Sequence, residues 1–285
     1  MGNPPNANGD TIGRQMNLKK GLGFVVTAPT DATVDAALLG GKQGAAWYYS
    51  WRPVSPVADA HGAEFVPMLW DSSQGNWTAL LANYSPDYTG WIMGPNEPNH
   101  PQQAAMLPTE AAICWHQLKE AYPLAKLVAP APWDRPLRDS KTGEWGSDGD
   151  HWLTEWREAH WRMYNCYPDP DAYALHYYTG KDPFRAVVRF YTEWIYHNDA
   201  RPGVHVWLTE FRFCNEWWAD VPGFDLAQYM RQQIRAMEKL PYLDRWAYFA
   251  NREYLADPIV SNDGCHIGLN TDSGLTNLGK VFMSL

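Results

Sequence analysis

The chain has 285 residues, enough for one large α/β domain, and carries 23 basic against 32 acidic residues for a net charge of −9. That balance, with no Lys/Arg run, argues against a nucleic-acid surface. No stretch of 18 apolar residues is present, so no membrane-spanning helix is expected. The four cysteines, Cys114, Cys166, Cys214 and Cys265, fall in neither CxxC nor close Cys/His spacing, and no zinc site is read from them. A Cys214–Cys265 disulfide and free buried thiols both fit. The 16 Trp and 16 Tyr exceed what core packing usually uses. Flat indole faces stack on the apolar C–H faces of sugars, which points to a carbohydrate cleft; a Trp-heavy core is the alternative.

Residues 1–18 form a polar leader rich in Asn, Gly and Pro, without the apolar core of a signal peptide. The domain is read as 19–285. A secreted protein is expected, its signal lying outside this sequence, and an intracellular one stays open. Leu22–Val26 is an apolar run of strand length. Asp31–Leu39 reads as a helix stopped by Gly40-Gly41. Ala45–Trp51 is a second strand, Glu64–Trp70 a third, Asn76–Asn83 a short helix and Trp91–Glu97 the fourth strand. Pro108-Thr109-Glu110 opens a helix that Pro123 ends, and Lys126–Pro132 is a fifth strand interrupted by prolines. Trp133–Gly149 is a long loop, of a length that is functional or disordered in a compact domain. A helix from Asp150 to Tyr164 follows, then a sixth strand, Ala172–Tyr178.

Asp182-Pro183 starts the next helix, with Pro at the position where its missing N–H costs nothing. Val204–Phe211 is the seventh strand. Asp225 and Gln228 form a capping pair ahead of the apolar stripe Leu226, Tyr229, Met230, Ile234 and Met237. Arg245–Ala250 is the eighth strand, and the last part of 264–285 is helical. Eight strands alternating with helices or loops, without a linker, predict a single closed (β/α)8 TIM barrel. The doubly wound sheet is the rival, and no phosphate-binding glycine spacing supports it.

In a barrel the active site gathers at the strand C-termini. Trp91–Met93 runs into Gly94-Pro95-Asn96-Glu97-Pro98, and Val204–Leu208 into Thr209-Glu210-Phe211. Each run places a Glu, beside a hydrogen-bonding residue, where an apolar strand emerges. Strands four and seven sit on facing sides of the ring, so Glu97 and Glu210 converge. Two carboxylates suffice for glycoside hydrolysis; about 5–5.5 Å between them gives retention and about 6.5–9.5 Å inversion. Trp51, Trp70 and Trp133 each follow a strand, as sugar-stacking platforms do, with rim packing as the alternative. His176 and Tyr178 end strand six, placed to touch the sugar or Glu210, with a structural His and a packed Tyr as the alternatives. Trp217 and Trp218 lie past strand seven as a candidate outer subsite. The histidines show no HExxH spacing, so no metal and no cofactor is expected.

Asn96-Glu97-Pro98 and Thr209-Glu210-Phe211 resemble the acid/base and nucleophile signatures of retaining (β/α)8 glycoside hydrolases. With Lys20-Gly21-Leu22, Tyr48–Trp51, Glu64–Trp70, Gly94–Pro98, His176-Tyr177-Tyr178 and Trp207–Phe211, the chain resembles glycoside hydrolase family 128 from about Lys20 to Phe282. The resemblance implies an endo-β-1,3-glucanase with Glu97 as acid/base, Glu210 as nucleophile and Asn96 on a sugar hydroxyl. Ser50, Tyr177 and Asn99 stand where that family commonly has Asn, Trp and Asp. The expected partner is a β-glucan met by a monomer. A barrel hydrolase acting on β-1,4-glucan, xylan or mannan, and a non-catalytic β-glucan-binding protein, are the alternatives.

Overall fold

The structure, a computed structural model, describes residues 17–26, 33, 35–134, 148–178, 181–213, 221–252, 268–271 and 274–285. Among the described residues eight strands form the main sheet: β1 (Lys20–Gly23), β2 (Trp47–Tyr49), β3 (Glu64–Phe65), β4 (Trp91–Met93), β5 (Lys126–Val128), β6 (Ala172–Tyr177), β7 (His205–Phe211) and β8 (Leu243–Phe249). They pair in parallel in the order β3-β2-β1-β8-β7-β6-β5-β4. A parallel bridge between Met68 and Met93 joins the two ends, with Leu69 N–H on Met93 O at 2.9 Å and Met93 N–H on Pro67 O at 2.9 Å. The sheet is therefore a closed ring, and the open-sheet rival falls.

β3, β4 and β5 are each shorter than the sequence predicts for one shared reason. Pro67, Pro95 and Pro130 have no N–H to give a ladder, so regular pairing lapses beside them. It resumes beyond, as the Asn96–Ala131 bridge shows.

The outer layer begins at α1 (Gln74–Asn83), with Ser73 as its N-cap. In α2 (Pro108–Ala121) the Glu110 carboxylate accepts the Leu107 N–H. Asp148 caps α3 (Gly149–Tyr164), which stops at the left-handed Asn165. Asp182 caps α4 (Pro183–Arg189), which runs on through a wider turn, Phe190–Ile195, to Asn198. Asp225 caps α5 (Leu226–Glu238), accepting the Gln228 N–H at 3.0 Å. Thr276 caps α6 (Asn277–Ser284), which follows a short hairpin of β9 (Asn270–Thr271) and β10 (Gly274–Leu275). Of the helix predicted over Asp31–Leu39, the regular turn described is a 3-10 turn at Ala36–Leu38, ahead of Gly40 and Gly41 at φ 62° and 61°. The β2–β3 connection, residues 52–63, holds turns and no helix.

Alternation along the strands sorts the core into two shells. Inside the ring lie Trp47, Tyr49, Val66, Met68, Met93, Val128, Ala172, Ala174, Trp207 and Ala247. Between ring and helices lie their alternates, among them Leu22, Tyr48, Ile92, Leu127, Tyr173, Leu175, Leu208, Trp246 and Tyr248. The lower interior is a tryptophan plug. Trp207 sits 5.2 Å from Trp47 and 4.6 Å from Trp91, centroid to centroid. The Arg245 guanidinium lies 4.5 Å from the Trp207 ring and pairs with Glu64 at 2.7 Å. Gly21 makes the space, since a β-carbon there would overlap the Trp47 indole.

This corrects the compositional reading of the tryptophans. Trp47, Trp115, Trp156, Trp207 and Trp246 are fully buried core, so much of the Trp excess fills a barrel rather than lining a cleft. Cys114 and Cys166 are free thiols. Cys214, Cys265, Trp217, Trp218, the leader through residue 16 and most of the predicted 133–149 loop lie outside the described residues.

Candidate active site

Glu97 comes to the ring's centre through a controlled break in β4. After Met93, Gly94 and Pro95 carry the chain upward. Asn96 N–H then bonds Trp70 O at 3.0 Å and Glu97 N–H bonds Ala131 O at 2.7 Å. Both neighbouring strands thus hold the segment. Glu97 itself takes a left-handed backbone, φ 42°, a conformation that strains a non-glycine residue by about 1–3 kcal/mol and clusters at functional sites.

Glu210 arrives by a different device. Trp207 faces the interior, so strict alternation would put Thr209 inside and Glu210 outside. The β6–β7 register slips instead: Leu175 pairs with Leu208, but His176 pairs with Glu210. The extra residue in β7 turns Glu210 inward, as a bulge re-aims a side chain.

Both carboxylates are buried, 4% exposed each as residues, and His176 lies between them. Its Nδ1 is 2.8 Å from Glu97 Oε1 and its Nε2 is 3.4 Å from Glu210 Oε1. Two donors hold Glu210: Trp51 Nε1–H reaches Oε1 at 2.8 Å and the Tyr178 hydroxyl reaches Oε2 at 2.5 Å. The Tyr49 hydroxyl shares its one proton between Thr209 O at 2.9 Å and Glu210 Oε1 at 3.1 Å. Acceptors so occupied suit a carboxylate that carries its charge.

Burial lifts the Glu97 carboxyl from its ordinary 4.5 to about 7; the His176 hydrogen bond and charge pull it down, and the charges of Glu210 and Asp134 add to the rise. Burial alone would lower His176, but Glu210 and Glu97 outweigh it, and His176 titrates above its ordinary value. Burial and then the Glu210 charge hold the Tyr49 and Tyr178 hydroxyls well above 10, so they remain donors.

Glu97, His176 and Glu210 place one ligand atom each within 4.8 Å of one another. Within that trio the Glu210 oxygens meet the Trp51 N–H and the Tyr178 hydroxyl.

The glycosyl hydrolase catalytic core family matches residues 21–282. The chain belongs to that family. Among solved structures, this hydrolase is similar to a glycoside hydrolase family 128 (subgroup II) endo-β-1,3-glucanase from Pseudomonas viridiflava. That likeness has 25% identity and a TM-score of 0.68 over 95% of this chain and 99% of that one. It is also similar to a curdlan-specific exo-β-1,3-glucanase of subgroup III from Blastomyces gilchristii, at 22% identity and TM-score 0.62, over 94% of this chain and 100% of that one. A subgroup I endo-β-1,3-glucanase from Amycolatopsis mediterranei, bound to laminaritriose, matches at 22% and 0.60, over 93% of this chain and 99% of that one. The two at 22% support the barrel fold. No curated protein sequence matches the hydrolase.

Of the residues singled out from the hydrolase's sequence, Asn96, Glu97, Glu210, His176, Tyr178 and Trp51 meet at one centre. Asn96 Nδ2–H bonds Gln103 at 3.3 Å, while its buried Oδ1 has no partner among the described residues. Trp51 reaches Glu210 with its indole N–H, in a left-handed backbone of φ 56°. Trp70 is half-buried against the inner shell, beside Asn96 through its carbonyl. Trp133 is buried; its ring stacks on Tyr178 at 5.3 Å and meets His100 edge-on at 5.6 Å. Its backbone is clasped by Asn99, which accepts from Trp133 N–H at 2.7 Å and donates to Trp133 O at 3.0 Å. Trp133 therefore braces Tyr178.

Sequence reading missed Tyr49 and Asp134. Tyr49 alternates with Trp47 and Trp51 along β2, and that inward period was its signal. Asp134 Oδ2 accepts the Tyr178 N–H at 3.0 Å; it lay in a predicted loop, and nothing local marked it.

Proposed function

We propose that the chain is a retaining endo-β-1,3-glucanase. The observation that carries the mechanism is the buried Glu97–His176–Glu210 trio, with both carboxylates inside a 4.8 Å cluster. That proximity favours the short spacing of about 5–5.5 Å at which the second carboxylate acts as nucleophile, over the about 6.5–9.5 Å that admits water between the two. The Pseudomonas viridiflava enzyme, an endo-β-1,3-glucanase at 25% identity over 95% of this chain, supports the linkage and internal cleavage.

In the first step Glu210 attacks the anomeric carbon. Glu97, protonated up to about pH 7, gives its proton to the leaving oxygen. The glycosyl–Glu210 ester has lost the nucleophile's negative charge, and with it the repulsion that helped Glu97 keep its proton. Glu97 thereby becomes the base that activates water for the second step. Asn96 Oδ1, buried and unpartnered among the described residues, accepts from a hydroxyl of the reacting sugar. Tyr49, Trp51 and Tyr178 keep Glu210 aimed.

The test is turnover of laminarin, curdlan and β-1,4-glucans, with proton NMR of the first product. The β-anomer released from a β-1,3-linkage is the expected result. An α-anomer would contradict retention, cleavage of only β-1,4-chains would contradict the linkage, and binding without product would identify a glucan-binding protein.

A further inference from the structure

Tyr178 donates its hydroxyl proton to Glu210 Oε2 at 2.5 Å. That hydroxyl stands at the far end of a long side chain, so a small tilt of the Tyr178 backbone misaims it. A hydrogen bond weakens as its angle closes, and one to a charged acceptor has the most to lose. The backbone at Tyr178 is not held by the sheet. β6 ends at Tyr177, and β5 is registered to it at Val128–Ala172, with Ala129 N–H on Ala172 O at 2.9 Å. Beyond that level Pro130 and Pro132 have no N–H with which to extend the ladder. Side chains tie the tops of these two strands instead.

Asp134 is the tie. Its Oδ2 accepts the Tyr178 N–H at 3.0 Å. One residue earlier, the Trp133 ring stacks on the Tyr178 ring at 5.3 Å and 27°. Two consecutive residues thus hold the backbone and the ring of Tyr178 together. They are anchored in turn by Asn99, which accepts from Trp133 N–H at 2.7 Å and donates to Trp133 O at 3.0 Å. An amide can do both, whereas an ionised carboxylate at 99 could accept but not donate. Asn99 belongs to the turn that presents Glu97, closed by His100 N–H on Glu97 O at 2.9 Å. Contacts therefore run unbroken from the Glu97 turn through Asn99, Trp133 and Asp134 to Tyr178 and Glu210. Phe249, edge-on at 5.7 Å, and the Arg212 guanidinium at 5.4 Å also confine the Tyr178 ring, but the hydrogen bond to its N–H comes from Asp134.

We propose that Asp134 is a positioning residue of the reaction, which aims the Tyr178 hydroxyl at Glu210 by holding the Tyr178 N–H. The inference rests on Glu210 as the nucleophile. It makes the effect of Asp134 on turnover conditional on the Tyr178 hydroxyl, which a packing role would not do.

The test is a double-mutant cycle on the full chain with laminarin, each variant checked for its melting temperature. Turnover is compared at each variant's own pH optimum, because the Asp134 charge also adds to the rise of Glu97. Asp134→Ala is expected to lower kcat roughly three- to tenfold, the range of one hydrogen bond, with KM unchanged. Asp134→Asn, whose amide oxygen still accepts the N–H, is expected to keep kcat within about twofold of native. In the Tyr178→Phe background Asp134→Ala is expected to cost less than about twofold. The same loss in both backgrounds, a loss confined to KM, or Asp134→Asn as slow as Asp134→Ala overturns the inference.

Crystal structures of the native chain and of Asp134→Ala supply a readout that needs no turnover. In the variant the Tyr178 hydroxyl is expected beyond about 3.5 Å from Glu210 Oε2, outside hydrogen-bond range. A hydroxyl that stays in place overturns the inference. A displaced hydroxyl, in a chain whose native form leaves laminarin intact, removes the catalytic reading and keeps the link from Asp134 through Tyr178 to Glu210.

Discussion

Glu97 keeps its proton near neutrality because burial opposes its charge, and His176 limits how far that goes. In the proposed mechanism glycosylation needs Glu97 protonated, so activity is expected to fall as pH rises through about 7. His176→Phe removes the charge and hydrogen bond that pull Glu97 down. The alkaline limb of kcat/KM should then move to higher pH, alongside a lower maximum. An unmoved limb would show that His176 only packs. Glu97→Gln is expected to lower kcat on laminarin by about 10²–10⁴, the range of general acid–base catalysis. Tyr178→Phe deletes a donor to a buried carboxylate, whereas Tyr49→Phe deletes a proton shared between Thr209 O and Glu210 Oε1. Hydrogen bonds to charged groups contribute about 1.5–3 kcal/mol, so Tyr178→Phe is expected to reduce kcat more than tenfold and Tyr49→Phe by less, both with little change in KM. The reverse pattern would place the tyrosines on substrate rather than on Glu210.

Among the elements, the strands were legible where a side chain's period reports its environment. Apolar runs such as Trp91–Met93 and Val206–Leu208 announced buried strands, and Asp182 and Asp225 marked helix starts, whereas the cap of α3 is Asp148 and not the expected Asp150. Glu97 was legible because Pro95 and Pro98 frame it. The β7 bulge was not: Trp207, Thr209 and Glu210 read as ordinary alternation, and only pairing with β6 shows the slipped register. The 3-10 turn at Ala36–Leu38 also escaped, because an Ala/Leu-rich stretch has helical propensity whatever its length becomes in context. Gly21 shows how one missing side chain in β1 fixes a partner in β2. Gly21→Ala forces the Trp47 indole to move, an overpacking expected to destabilise by about 1–3 kcal/mol. A drop in denaturation midpoint checks it, and Trp47→Leu in the same chain should relieve the clash.

For the molecule as a whole, stability and chemistry occupy opposite ends of the barrel. Between the start of β6 and the start of β7, Asp199 accepts from Arg157, Arg201 and Tyr173 at 2.7–3.1 Å. Burial opposes its charge, but Arg201, Tyr173 and Arg157 outweigh that and hold Asp199 below its ordinary 3.8. A depressed carboxylate stabilises the fold above its unfolded value, and that contribution is lost as pH falls through the lower folded one. Asp199→Asn, leaving Arg157 buried without its counter-charge, is expected to cost about 3–5 kcal/mol near neutrality. The gap from the native melting temperature should narrow below about pH 4; a constant gap would show packing loss alone. Composition could not distinguish these ends, because the tryptophans serve both. The floor built from Trp47, Trp91, Trp207 and Arg245 has one more consequence, concerning traffic. It is filled, so the barrel has a single mouth. The departing sugar, the incoming water and any second glycan then share one doorway, and in the proposed double displacement the ester on Glu210 would be intercepted by whichever arrives. At high oligosaccharide concentration an acceptor sugar competes with water there, and products longer than the starting glycan should accumulate.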